Sequence, residues 1–109
     1  MISWQDFERI EMRVGTIIDV SDFPEARNPS YKLTIDFGEL GTRRSSAQLT
    51  TLYSREELLN RQVIAVVNFP VKQIANFFSE CLVLGAVGDD KEVTILQPER
   101  AVKNGLRIA

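Results

Sequence analysis

The sequence predicts a small all-β domain: a five-stranded Greek-key barrel with an N-terminal helix and a C-terminal extension. Three observations point there. Strand-like stretches are short and divided by Gly, Pro and Asn turn signals. The runs Val63-Ile64-Ala65-Val66-Val67 and Cys81-Leu82-Val83-Leu84 are continuously apolar, as in strands buried on both faces. A single helical capping box, Ser54 to Glu57, follows the third strand-like stretch. With 109 residues, 44% hydrophobic and 26% charged, the chain reads as one domain, residues 1–109, large enough for one core.

In chain order, Ser3 and Asp6 form a capping pattern ahead of Trp4, Phe7 and Ile10 at helical spacing, which predicts a short amphipathic helix over 4–9. Its two large aromatics require burial, on the barrel or against a second chain. Arg13 to Val20 reads as a strand with Val14, Thr16, Ile18 and Val20 on one face and Gly15 marking a bulge or bend. A connection bracketed by Pro24 and Pro29 follows. Tyr31, Leu33, Ile35 and Phe37 alternate with Lys32, Thr34 and Asp36, the pattern of a half-buried strand. Gly38 to Gly41 turns the chain into a polar strand, Thr42 to Leu49. After the capping box comes a short helix ending near Asn60. The two apolar runs then flank a loop, and Glu92 to Leu96 adds a strand beyond a Gly88-Asp89-Asp90-Lys91 tip. Asn104-Gly105 is a tight turn before a last strand, Leu106 to Ile108. This order fits a barrel of the OB type, with an open α+β sheet as the alternative.

Several polar residues sit where such a barrel binds ligands. Arg44, Ser46 and Gln48 share one face of the polar strand; Arg43, Ser45 and Ala47 share the other. Hydroxyls and an amide can read base edges while arginines hold phosphates. The competing reading is a solvated face with edge-protecting charge. Asn68 either satisfies backbone groups in its turn or points into a groove. Glu80 either accepts from a base amino group or pairs with Lys72 or Arg13. Of the adjacent Phe77 and Phe78, one points inward and the other stays exposed for a base, an apolar peptide or a dimer contact.

Composition narrows the chemistry. Histidine is absent, which removes Ser-His and Cys-His nucleophile pairs, His metal ligands and the commonest general base. Carboxylates are scattered, and no nucleophile elbow or Gly-rich phosphate loop occurs, so no enzymatic activity, catalytic residue, metal or cofactor is expected. A hydrolase built on Ser45 or Ser46 is disfavoured for the same reason. The net charge of −2 confines any nucleic-acid contact to a local patch. The one cysteine, Cys81, cannot form an intrachain disulfide. With a polar, acidic N-terminus that lacks a secretory pattern, it leads to an expected cytoplasmic location without membrane insertion.

The segments DFERIEMRVGTI, FPEARNPSYKLTIDFG, RSSAQLT, YSREELLNRQVIAVVNFP, SECLVLG and NGLRI, in this order, resemble the tRNA-binding domain family, most closely its stand-alone CsaA-type branch. The resemblance covers essentially the whole chain. It implies an OB fold, a homodimer, binding of structured RNA, tRNA above all, and a chaperone role toward exported or unfolded polypeptides. It further implies a binding surface that includes Arg13, Lys32, Ser45, Ser46, Gln48, Asn68, Lys72, Ser79 and Glu80. Arg44 and Phe78 join them from their own chemistry. Trp4 and Phe7 fall on the dimer side. The chain departs from the family at Lys72-Gln73 and Asn76-Phe77-Phe78. Relatives there carry more basic residues, so the change removes phosphate contacts and adds apolar surface.

Overall fold

The computed structural model describes residues 1–109. Its centre is the strand whose alternation is clearest. In β2 (Tyr31–Asp36), Tyr31, Leu33 and Ile35 point inward, and Phe37 follows them. β2 pairs antiparallel with β1 (Met12–Asp22) on one side and with β3 (Thr42–Ala47) on the other. The first half of β1 pairs with β4 (Gln62–Val66), which pairs in turn with β7 (Leu82–Val83). The resulting order β3-β2-β1-β4-β7 curls into a nearly closed barrel of the expected OB-like class. Ile17, Leu33, Ile35, Phe37, Leu58, Val63 and Ala65 fill its interior.

The seam between β3 and β7 is closed largely by side chains. Glu80 N–H donates to the Arg44 carbonyl at 2.8 Å, and a Glu80 carboxylate oxygen accepts from Arg44 N–H at 2.9 Å. Ser79 Oγ accepts from Ser46 N–H at 3.2 Å, and the buried Ser45 Oγ donates to the Cys81 carbonyl at 2.9 Å. An edge strand left unpaired would invite association with other chains. Here two polar side chains occupy that edge.

Both capping patterns form complete reciprocal boxes. Ser3 and Asp6 start α1 (Trp4–Glu8), and Ser54 and Glu57 start α2 (Arg55–Leu58), which plugs the barrel with Leu58. The Ser54 backbone and hydroxyl bonds hold the Glu57 carboxyl below its ordinary range. Leu59 ends α2, and Asn60 takes a left-handed φ of 70°, so the helix stops before Asn60.

Several expectations are corrected. The β1 register shifts between Ile17 and Asp19, so the bulge lies there and not at Gly15. Ile17, in phase with Gly15, faces the core, Ile18 is exposed, and the shift turns Val20 back against the core, which breaks the expected Val14-Thr16-Ile18-Val20 face. Gly15 instead permits close approach: a Cβ there would sit 2.6 Å from Ile35 Cγ2 and 2.7 Å from Phe37 Cε1. The polar strand ends at Ala47 rather than Leu49. The second apolar run is half-buried, with Leu82 facing solvent. Residues 68–80 are not an irregular loop: β5 (Lys72–Ile74) and β6 (Phe77–Ser79) form a hairpin that turns through Ala75 at φ 53°. β8 (Gly85–Val87) and β9 (Val93–Ile95) form another, with Gly88–Lys91 at its tip as expected.

The last segment is not a full strand: one bridge, Arg13 with Arg107, and three backbone hydrogen bonds hold it to β1, from Val14 N–H to the Leu106 carbonyl at 3.0 Å, Gly105 N–H to the Val14 carbonyl at 2.7 Å and Ile108 N–H to the Met12 carbonyl at 2.9 Å. Gly105, at φ 93°, packs where a Cβ would meet the Phe37 carbonyl at 2.7 Å. Asn104 Oδ1 accepts from Thr16 Oγ1 at 2.8 Å and from Gln62 Nε2 at 3.0 Å, which pins the extension to the barrel. No helix is long and apolar enough to cross a membrane.

Candidate nucleic-acid interface

Strand alternation divides the polar residues of β3. Ser45 is fully buried and its hydroxyl is spent on Cys81, so it belongs to the core and not to an outer surface. Arg44 and Ser46 point outward beside their cross-strand partners Thr34 and Lys32 on β2, and Gln48 follows in phase just beyond the strand. Two aromatic rings lie against this outer face. Phe23, from the β1–β2 connection, and Phe77, from β6, are 5.4 Å apart and tilted by 57°. Lys32 Nζ sits 4.9 Å from the Phe23 ring centre, and the Arg44 guanidinium 4.3 Å from that of Phe77. The ring faces attract both cations and hold them in place without neutralising them.

Beside this layer lies an open cleft of about 760 Å³. Ser46 and Gln48 form one wall; Phe69, Pro70, Val71, Lys72, Gln73, Ile74 and Ser79 form the hairpin side; Cys81 and Leu82 form the floor. Lys72 is exposed, makes no ion pair and is the one charged side chain in the lining. The Cys81 thiol stays neutral, since burial pushes it up to about 11. Phe77 is buried and Phe78 is 55% exposed, the division expected for adjacent residues of an extended chain.

The structure therefore brings together Lys32, Arg44, Ser46, Gln48, Lys72 and Ser79, with Phe78 on the neighbouring hairpin face. It does not bring Arg13 or Asn68 there. Asn68 Nδ2 donates to the Arg9 carbonyl at 2.7 Å and its Oδ1 accepts from Glu11 N–H at 3.0 Å, tying the end of β4 to the exit of α1. Arg13 donates twice to Glu11 Oε1, at 2.8 and 3.2 Å, and to the Gly105 carbonyl at 3.1 Å. Both line a separate small polar cleft with Arg9 and Arg107. Glu80 pairs with neither Lys72 nor Arg13; its carboxylate closes the barrel seam. Trp4 stays 83% exposed and Phe7 is half-buried, so the chain leaves Trp4 open and covers Phe7 only in part.

The sequence reading passed over Phe23 as half of the aromatic layer, and Phe69, Val71 and Leu82 as cleft walls. A signal existed in Phe69-Pro70-Val71, an apolar triplet in a segment that otherwise reads as a polar loop.

Comparison with known proteins places the chain in a family. The tRNA binding domain family model matches residues 12–107. Methionine–tRNA ligase of Thermococcus onnurineus is 36% identical over 107 residues, covering 98% of this chain, and that of Bacteroides fragilis is 30% identical over the same length. The chain spans 14% and 16% of those enzymes. Among solved structures, the chaperone CsaA of Bacillus anthracis superposes with a TM-score of 0.96 at 47% identity, covering 100% of this chain and 99% of its own. The CsaA chaperone of Picrophilus torridus superposes at 0.93 with 53% identity and complete coverage of both chains. With a family model matched over nearly its whole length and an OB-like barrel to carry it, the chain belongs to the tRNA-binding domain family.

Proposed function

We propose that this protein binds tRNA through the outer face of β2 and β3 and the adjoining β5–β6 hairpin, without enzymatic activity of its own. Recognition rests on the shape and backbone of the folded RNA more than on sequence. The observation that carries this reading is the pair Lys32 and Arg44, fixed on the Phe23–Phe77 layer beside the unpaired Lys72. Arginine and lysine on a rigid strand face are suited to phosphate oxygens, and phosphate contacts set orientation. With a net charge of −2, attraction must come from this patch rather than from the whole molecule. Three cations imply a salt dependence of log Kd against log salt of about 2 to 3.

The protein acts as a homodimer in a reducing cytoplasm. Ile2, Trp4 and Ile10 present apolar surface at α1 that the barrel leaves open, which supports a contact with a second copy. Light scattering at micromolar concentration should give twice the chain mass; a monomer mass contradicts the dimer. Binding is tested by titrating fluorescently labelled total tRNA at low and at near-physiological salt. Micromolar or tighter binding that weakens with salt is expected, and salt-insensitive or undetectable binding at low salt would refute it.

One observation favours a second reading, a chaperone for extended polypeptide. Phe69, Val71, Phe78 and Leu82 are all substantially exposed on or beside the hairpin. Suppressed aggregation of a denatured client, lost in Phe78→Ser, is the expected result of that reading; no effect at a stoichiometric ratio removes it.

A further inference from the structure

We propose that the cleft between β3 and the β5–β6 hairpin receives one unpaired nucleobase, so that the bound RNA must offer a short single-stranded stretch as well as a folded shape. This inference rests on the tRNA reading above and adds a base-binding slot to it.

The order of groups along the outer face follows the order of groups in a nucleotide. Arg44 supplies positive charge at one end, and Lys32, cross-strand from Ser46, holds its ammonium over the same aromatic layer, 5.8 Å from the Phe77 ring centre. Two residues on from Arg44, about 7 Å along the strand, comes Ser46, followed by Gln48. The Gln48 amide is exposed and makes no hydrogen bond within the chain, so its donors and its acceptor are free together. Beyond it the cleft is walled by Phe69, Val71 and Leu82, three exposed apolar side chains that can cover the faces of a planar ring. Charged, polar and apolar groups thus succeed one another as phosphate, base edge and base face do.

Size and charge limit the occupant. A volume of about 760 Å³ lies within the range of about 300–1,000 Å³ typical of small-ligand sites and has room for a nucleotide. Lys72 is the only charge in the lining and no carboxylate lines it, so an anionic strand is favoured over a cationic one. A purely apolar peptide side chain would use the same walls but leave the Gln48 amide and the Ser46 hydroxyl facing it without partners, which is costly once water is excluded.

The test compares three unlabelled competitors against labelled tRNA: a single-stranded RNA of about six nucleotides, a blunt-ended RNA hairpin and an extended apolar peptide. Two substitutions accompany it. Gln48→Ala removes groups that the fold does not use, and Val71→Asp sets a negative charge on the hairpin wall; unchanged far-ultraviolet circular dichroism verifies folding for both. The single strand should displace tRNA, and Gln48→Ala and Val71→Asp should weaken its binding by about tenfold or more. If tRNA binds while the single strand fails to compete and Gln48→Ala is silent, the slot is refuted and the tRNA reading stands. If the peptide competes and the single strand does not, the slot belongs to polypeptide and the inference also fails. If tRNA itself does not bind at low salt, the underlying reading falls with it.

Discussion

The two ends of this barrel hold similar polar residues in opposite conditions. At the α1 end, Asn68, Arg13, Glu11 and Gly105 bond to one another until Asn68 and Arg13 have little left to offer a ligand. On the β3 face, Gln48 and Lys72 have no partner in the chain, and Lys32 and Arg44 rest on aromatic rings that leave their charge intact. Residue type does not separate the two regions, since both contain an amide and a guanidinium. What separates them is whether the chain itself already supplies the partner. Ser45 and Ser46 show the same contrast within one strand: one hydroxyl is sealed in the core and its neighbour faces the cleft.

That contrast makes stability and binding separable, and substitutions can break it. The largest expected effect concerns the buried side of the seam. Burial raises the Cys81 thiol from 9.0 to about 11, so the folded state keeps a proton that the unfolded state loses. Stability is therefore fully present below pH 9 and declines as pH rises from 9 to 11, by about 2–3 kcal/mol. Denaturant melts at pH 8 and 10, wild type against Cys81→Ala, isolate this part; an identical decline in both proteins contradicts the assignment.

Ser45→Ala should come next, at about 1–3 kcal/mol, because the Cys81 carbonyl loses its short buried partner. Its tRNA affinity should stay within twofold of wild type, whereas a large loss would return Ser45 to the binding surface. Asn68→Ala should cost about 1 kcal/mol, since the Arg9 and Glu11 backbone groups that it bonds are exposed and water can replace it. Its affinity for tRNA should be unchanged as well. Arg44→Ala sharpens the comparison from the other side: thermal stability should fall only slightly, by about 1 kcal/mol from the lost contact with Phe77, while tRNA affinity falls several-fold. An Arg44→Ala protein that binds tRNA like wild type would place the RNA elsewhere.

Much of the fold was legible because periodicity writes it plainly. The inward alternation of Tyr31, Leu33, Ile35 and Phe37, both capping boxes, the central apolar strand and the division of Phe77 from Phe78 follow from local rules. The β1 face was lost to one extra residue near Ile17, since a bulge reverses the side-chain phase beyond it and no side chain announces one. The β5–β6 hairpin was missed because strands of three residues are too short to show alternation.

The candidate site was legible only by composition. Local sequence cannot tell that Asn68 reaches residues 57 and 59 positions away, or that Glu80 fastens the edge of β3, because such partners are set by topology. Lys32, Arg44, Gln48 and Lys72 each carry a local signal, but the aromatic layer of Phe23 and Phe77 and the apolar walls of Phe69, Val71 and Leu82 come from separate parts of the chain that only the closed barrel brings together.

The central claim is that RNA contacts the face whose polar groups the fold leaves free. It is tested most directly by measuring the salt dependence of tRNA binding for wild type and Lys72→Ala. Lys72 is exposed and unpaired, so its loss should leave the melting temperature in place while weakening binding and lowering the salt slope by about one. The same affinity and slope in both proteins would contradict the account.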